Sequence, residues 1–353
     1  MKKQIKKRTL VTLIVILSLV YLIIAVRPLT TELHMTPLWT SNIQITEKAS
    51  VSENIIPYKL GQNTGYFDEN GKIYSRVTFP FNCTISKDYY STYSPDNTVT
   101  TVYRPDGKEL TRIERPGFPH FVDEKLYIMF PGGSSFAQFS TEGKELWSFE
   151  NYCPITAFYS NKSGTAAGYA DGTIYCFDTK GNITQVFEPS GSEYNIILGL
   201  GLSDDGQMIA SLSGHNKQRI TVAQKSDNHS KIIFHNFLDS ETNKQQLVKF
   251  NREQTKVYFS CKSGIGVVDL EKKKNTFVEI EGNVTQIEFS DFENLVFVLS
   301  KNGNQFTVTV IENPDKKAAQ FSFEAKYAFI QVKDENLFIG QDNKISAQKI
   351  SRK

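Results

Sequence analysis

The chain has 353 residues and a formal net charge of only +2, so it lacks the concentrated basic face that nucleic-acid binding requires. Aromatic residues make up 12% of it, nearly all Phe and Tyr, a composition suited to pleated, half-buried strands. The length accommodates two average domains or one large all-β domain.

The first eight residues hold Lys2, Lys3, Lys6, Lys7 and Arg8 and read as a basic cytoplasmic tail. Residues 9–26, from Thr9 to Val26, carry no charge. As a helix this run would be about 27 Å long, close to the ~30 Å thickness of a bilayer's hydrocarbon core. After Arg27 no Lys or Arg occurs until Lys48. That asymmetry predicts a cytoplasmic N-terminus, with everything after Arg27 across the membrane. A cleaved signal peptide is the rival reading. The apolar run exceeds the usual h-region, and Ile23-Ile24-Ala25-Val26 offers no small-x-small cleavage site. The expectation is therefore an uncleaved signal-anchor helix in a bacterial inner membrane, with the bulk of the protein in the periplasm. Residues 27–38, which include Pro28 and Pro37, read as an extended linker, and residues 39–353 as one β domain.

Within that domain a turn recurs. The segments ending in Gly71-Lys72, Gly107-Lys108, Gly143-Lys144 and Gly181-Asn182 align at roughly 36–38-residue spacing, near the length of a four-strand propeller blade. Looser copies at 223–230, 269–274 and 311–316 stretch the period to roughly 42–46 residues. Asp171-Gly172 between alternating runs is a strong hairpin signal, because tight hairpin turns need positive φ. A second recurrent piece, strand–turn–strand, occurs at 202–211 and more loosely at 93–99 and 289–296. Strands at 328–332, 336–340 and 344–350 end the array, and no helical period follows the linker.

Residues 139–149, Phe-Ser-Thr-Glu-Gly-Lys-Glu-Leu-Trp-Ser-Phe, and 169–181, Tyr-Ala-Asp-Gly-Thr-Ile-Tyr-Cys-Phe-Asp-Thr-Lys-Gly, resemble quinoprotein-type (PQQ-like) propeller repeats. The segment Ser203-Asp204-Asp205-Gly206 is similar to WD40-like and TolB-like propellers, although the Trp-Asp dipeptide of WD40 blades is absent. The resemblance covers residues 39–353 and implies an all-β propeller of four-stranded blades. Eight blades are expected, with seven as the alternative; the irregular first blade, 48–80, decides between them. The last blade lacks an outer strand, and the alternating segment 39–46 is expected to supply it, closing the ring and removing an exposed edge.

No residue is assigned a catalytic, cofactor-binding or metal-binding role. The four cysteines, Cys83, Cys153, Cys176 and Cys261, fall on blades or strands too far apart to pair. Strands two apart lie about 9–10 Å from each other, beyond the ~7 Å limit for a disulfide. All four read as free thiols, and no CxxC spacing supports a thiolate metal site. His34, His120, His215, His229 and His235 show no ligand spacing. Pro131-Gly132-Gly133-Ser134-Ser135 lacks the spacing of a nucleophile elbow and reads as a hairpin loop between Met129 and Phe136. Gly199 and Gly201 open no helix, so they read as small residues on a tightly packed inner strand. Sequons occur at Asn82, Asn161, Asn182, Asn228 and Asn283, with little weight in a bacterial envelope.

The resemblance implies, for quinoprotein dehydrogenases, a vicinal Cys-Cys pair and a Ca²⁺ site with a catalytic Asp. The chain has no Cys-Cys pair, and none of its residues matches those positions. For cofactor-free members the resemblance implies protein binding in envelope assembly. The expected function is thus a non-enzymatic scaffold that binds an envelope or membrane protein, with no cofactor. A small-ligand sensor using the propeller channel is the alternative, and a quinoprotein-type oxidoreductase a third reading. Polar groups converging on the axis would favour a ligand, and an apolar plug would count against one.

Overall fold

A sheet that is apolar on both faces has to be covered on both, and a ring of such sheets is one way to do it. The middle strands here are of that kind. Gly164–Tyr169 and Gly264–Asp269 are buried at every position, whereas outer strands such as Lys316–Glu324 alternate towards solvent. A computed structural model of the chain describes residues 12, 14–18, 20–21, 32–44, 54–226, 229–292, 294–312 and 314–352. It forms eight antiparallel sheets in sequence order. They span 55–78, 82–113, 118–149, 155–187, 194–237, 248–279, 283–324 and 328–352, the last joined by a strand from the start of the chain. These are blades one to eight. Seven have four strands, and blade one has three among the described residues. By the position of its Gly71 turn, those three are its second, third and outer strands.

Each blade boundary holds its own hydrophobic core. Val102, Phe121 and Ile128 pack between blades two and three, Ile174, Cys176, Leu200 and Ile209 between four and five, and Phe297, Val308, Ile330 and Leu337 between seven and eight. The ring closes through Ile56, Tyr58 and Phe67 of blade one against Phe329, Phe338 and Ala347 of blade eight.

The expected closing strand is present. Leu33–Asn42 pairs antiparallel with Lys344–Arg352 as the outer strand of blade eight, from Leu33 opposite Arg352 to Asn42 opposite Lys344. It starts earlier than the sequence indicated, so residues 33–38 are strand and not linker. Leu33 and Met35 pack against the core between blades seven and eight. Pro37 is tolerated because an outer strand leaves one edge unpaired, and the register shifts at Pro37/Trp39. Of the expected 9–26 helix, the described residues are helical and exposed, and the others lie outside the described residues. Among the described residues no helix is long and apolar enough to cross a membrane.

In each meander the turns after the first and third strands lie on one side of the disc, here the turn face. The turn after the second strand and the link to the next blade lie on the other, the connection face. Bonds between blades respect this division: Asn161 donates to the Leu202 and Ser203 carbonyls at 3.1 and 3.0 Å, joining the first turns of blades four and five. The four recurrent glycines end equivalent turns on the turn face, with φ of 86°, 83°, 84° and 84° at Gly71, Gly107, Gly143 and Gly181. In each, the glycine N–H bonds back three residues, to Asp68, Arg104, Ser140 or Asp178. The second recurrent piece is not uniform. The turns within 202–211 and 289–296 follow first strands, but 94–99 follows the second strand of blade two and lies on the opposite face. Asp96-Asn97 resembles the others in composition only; the true first turn of blade two runs from Ser86 to Tyr89, closed by Ser86 N–H on the Tyr89 carbonyl at 2.8 Å.

The two tryptophans do the same work at two boundaries. Trp39, on the outer strand of blade eight, covers Gly71 of blade one and donates its indole N–H to the Glu69 carbonyl at 2.7 Å. Trp147, on the outer strand of blade three, covers Gly181 of blade four so closely that a methyl group there would overlap the ring. Gly181→Ala therefore combines a positive φ with a clash and is expected to cost about 2–5 kcal/mol. Gly132→Ala, at φ 96° with nothing within 4 Å, is expected to cost only the backbone term, about 1–2 kcal/mol. Urea midpoints of the two variants check the difference, and equal losses would remove the Trp147 contact as its cause.

Candidate functional site

The inner strands surround a central channel. One cavity in it, about 440 Å³, is lined by His120, Phe158, Tyr159, Leu198 to Leu200, Gln245 to Lys249 and Thr285, from blades three to seven. A second cavity of about 440 Å³ continues it towards the connection face, between Glu241 to Gln246, Lys262 and Asn283. A third, about 270 Å³, lies between Tyr58 and Lys59 of blade one, Gln286 and Glu288 of blade seven, and Phe329 to Gln331 of blade eight. The inner strands approach closely because Gly199 and Gly201 lack side chains. A Cβ on them would stand 2.7 and 2.8 Å from the Gln246 and Val248 carbonyl oxygens.

Polar groups do converge on the axis, and most are already engaged by a neighbouring blade. Lys59 Nζ donates to the Cys83 carbonyl at 2.8 Å, and Lys249 Nζ to the Ile287 carbonyl at 2.7 Å. Lys249 also lies 3.6 Å from the Glu288 carboxylate. Gln286 brackets Ile330, its amide donating to the carbonyl at 3.3 Å and its oxygen accepting the N–H at 2.8 Å. Gln245 reaches the Thr156 carbonyl at 2.6 Å. Side-chain amides and ammonium groups in partly dry surroundings are costly to leave without acceptors. Half-buried Lys249 and Gln286 meet that need by joining blades; exposed Lys59 and Gln245 join blades as well. The side chains of His120 and Tyr159 stand apart, with no hydrogen bond among the described residues. The protein around His120, and then the nearby Lys59 ammonium, hold its imidazole pKa below the ordinary value. Burial, then Asp123 and Asp204, push the Tyr159 phenol up to about 12.

The residues singled out in the sequence scatter over the disc. Cys83 and Cys261 are buried in strands, Cys153 lies in the loop before the inner strand of blade four, and all four cysteines are free. Burial pushes the Cys176 thiol up to about 12, which leaves it without thiolate reactivity. Of the histidines only His120 faces the channel. His34 is on the closing strand, where a linker was expected, and His229 opens the outer strand of blade five, where a turn was expected. His215 ends a strand 4.0 Å from Glu241. Ser134 and Ser135 sit in the expected hairpin loop, closed by Phe130 N–H on the Ser135 carbonyl. Asn161 is buried and bonded between blades; Asn82, Asn182 and Asn283 are exposed, and Asn228 lies outside the described residues. Among the described residues no three His, Cys, Asp or Glu side chains are grouped to hold a metal ion. Sequence reasoning missed Lys59, Lys249, Gln245 and Gln286. Their partners lie 24 to 89 residues away, and each bond needs only one polar side chain opposite a backbone carbonyl, so no motif marks them.

Because the folded state lowers the His120 pKa, the stability linked to it falls as pH drops below the ordinary histidine value of about 6.5, where the unfolded chain takes up a proton first. His120→Gln is expected to flatten the fall of the urea midpoint between about pH 6.5 and 5, above the range where carboxylates titrate. An unchanged slope would show that the imidazole contributes nothing to it.

A family profile described as beta-propeller protein matches residues 1–352. A Treponema pallidum (strain Nichols) protein described as uncharacterized is 25% identical over 353 residues, covering 97% of this chain and 94% of that protein. The crystal structure of BamB from Moraxella catarrhalis superposes with a TM-score of 0.57 at 10% identity, over 90% of this chain and 100% of that one. At that identity the likeness is one of fold, and it agrees with the eight-bladed ring described above. From profile, blades and closure together, the chain belongs to the β-propeller protein family.

Proposed function

We propose that the chain is a membrane-tethered, non-enzymatic scaffold that docks a protein partner on the non-cytoplasmic side of a bacterial inner membrane. The observation that carries this reading is the use made of the channel. Lys59, Lys249, Gln245 and Gln286, polar side chains that reach the channel, bond one blade to another. What remains for recognition is the loop surface of a rigid disc. The similarity of residues 139–149 and 169–181 to quinoprotein-type repeats, without the Cys-Cys pair of the dehydrogenases, supports the same reading.

The tether rests on residues 9–26 and on the charge asymmetry around them. Ile14, Val15, Ile16 and Leu17 are more than half exposed, an apolar surface that hydrocarbon would cover. Leu33 enters the disc opposite Arg352, at the turn-face end of its blade. Only six residues separate Val26 from Leu33, at most roughly 25 Å of extended chain. Such a tether holds the turn face towards the membrane and presents the connection face away from it. A second reading, a small-ligand sensor, is favoured by His120 and Tyr159 in the 440 Å³ cavity.

Cross-linking the full-length protein in its native membrane should recover one envelope protein in near-equal amount. A form lacking residues 1–27, exported by another signal, should lose that recovery if the anchor is needed. No recovery above background would overturn the scaffold. A thermal shift of the propeller with a small ligand, abolished by His120→Ala and Tyr159→Ala together, would then establish the sensor.

A further inference from the structure

The two faces of the disc differ in chemistry. Outside the N-terminal helix and the outer strands, the large apolar side chains left exposed are Phe81, Val99, Phe118, Tyr152, Tyr194 and Tyr327. By their places in the blades, all six lie on the connection face, and among the described residues the turn face has none. Phe81, Phe118, Tyr152 and Tyr194 lie at four successive links, from blade one to blade five, and Val99 lies in the turn after the second strand of blade two. An aqueous loop surface gains nothing from exposed aromatic rings, whereas a docking surface uses them as anchors.

These anchors sit on braced backbone. The loop that carries Tyr152, whose side chain is fully exposed, is held by Asn151. Asn151 N–H donates to Ser135 Oγ at 3.0 Å, its carbonyl accepts from the same hydroxyl at 3.1 Å, and its side-chain oxygen accepts the Tyr152 N–H at 2.7 Å. Beside Phe118, Gly117 N–H donates to the Asn97 carbonyl at 3.1 Å, and Asn97 Nδ2 returns a bond to the Gly117 carbonyl at 3.1 Å. That pair of bonds also fixes the loop of Val99. Rings offered on fixed loops bind without a large ordering cost.

Charge tells what would dock there. The loops 79–81, 94–99, 114–118, 150–154 and 188–194 carry Asp96, Glu114, Glu150, Glu188 and Glu193 against the single Arg115. That guanidinium lies over the Phe130 ring, 4.5 Å from its centroid. The rest of the connection face, over blades five to eight, sets Lys217, Lys244, Lys262, Lys301 and Lys326 against Asp239, Glu241, Glu281 and Asp342 and has no acidic excess. We infer, resting on the scaffold reading above, that the connection face of blades two to five is the docking surface, and that its occupant is a protein segment carrying basic side chains beside apolar ones. The rings supply the anchors, and the carboxylates steer the partner and fix its orientation.

The test places a photoreactive benzoylphenylalanine at Tyr152, at Phe118, or at Lys180 on the turn face, in the full-length protein in its native membrane. The expected result is one adduct protein from positions 152 and 118 and none from 180, with the joined peptide rich in Lys or Arg beside apolar residues. Glu114→Lys with Glu150→Lys, both in exposed loops, should cut the adduct yield at 118 about tenfold or more, with the urea midpoint unchanged. An adduct only from position 180 would keep the scaffold and overturn the face. An acidic or uncharged joined peptide, or a yield indifferent to the charge reversals, would overturn the partner's chemistry. No adduct at any position would overturn both the scaffold and this surface.

Discussion

Each blade has two apolar faces, and nothing but a neighbouring blade covers them. The eight cores lie at the eight boundaries, and the axis is occupied by channel instead of a common core. A linear stack of such blades would leave an apolar face bare at each end and an unpaired edge. Closure is thus the condition on which the other features rest. It is made twice over at one place: the strand Leu33–Asn42 completes blade eight, and Trp39 on that strand then reaches across to Gly71 and Glu69 of blade one. The Lys333–Glu69 ion pair spans the same boundary.

A closed ring has consequences for the axis. The described inner strands, brought together, leave backbone carbonyls facing a narrow channel, and side chains from adjacent blades answer some of them. Lys249 and Gln286, both half-buried, bond to backbone groups of the next blade, which is a structural reason for polarity in a channel. The surface free to vary without cost to closure is the loop surface, and there the two faces diverge. The turn face is built of tight turns, ended by glycine at 71, 107, 143 and 181 and holding Asp123, Gln254, Lys273, Asn294 or Asp334 at positive φ in others. The connection face carries longer links and the exposed rings.

Much of this was legible in the sequence, and the limits have physical reasons. The turns at Gly71, Gly107, Gly143 and Gly181 were visible because positive φ restricts the residue type, and one restricted residue at a fixed period is a strong signal. Closure by a segment near Trp39 was legible because a final blade with three strands leaves an edge to be covered. The start of that strand was not, since Pro37 masks a segment that tolerates proline only because it is an outer strand. The loop 94–99 was misplaced because Asp and Asn serve turns on either face alike. Blade number depended on residues 48–80, whose period is irregular, and the packing of Tyr58 and Phe67 against blade eight decides it. The channel's inter-blade bonds and the one-sided display of aromatic rings could not be read at all. Both follow from which loops the ring brings side by side, and not from neighbours in sequence.

The claim that the disc exists only as a closed ring is tested most directly by hydrogen exchange of the native full-length protein, followed strand by strand. Closure predicts that amides of Leu33–Asn42 and Lys344–Arg352 open only with global unfolding, with the same free energy as the fully buried Gly164–Tyr169. Exchange of Leu33–Asn42 through a much cheaper local opening, while blades one and eight stay protected, would contradict it: the strand would then be an accessory to a ring that holds without it.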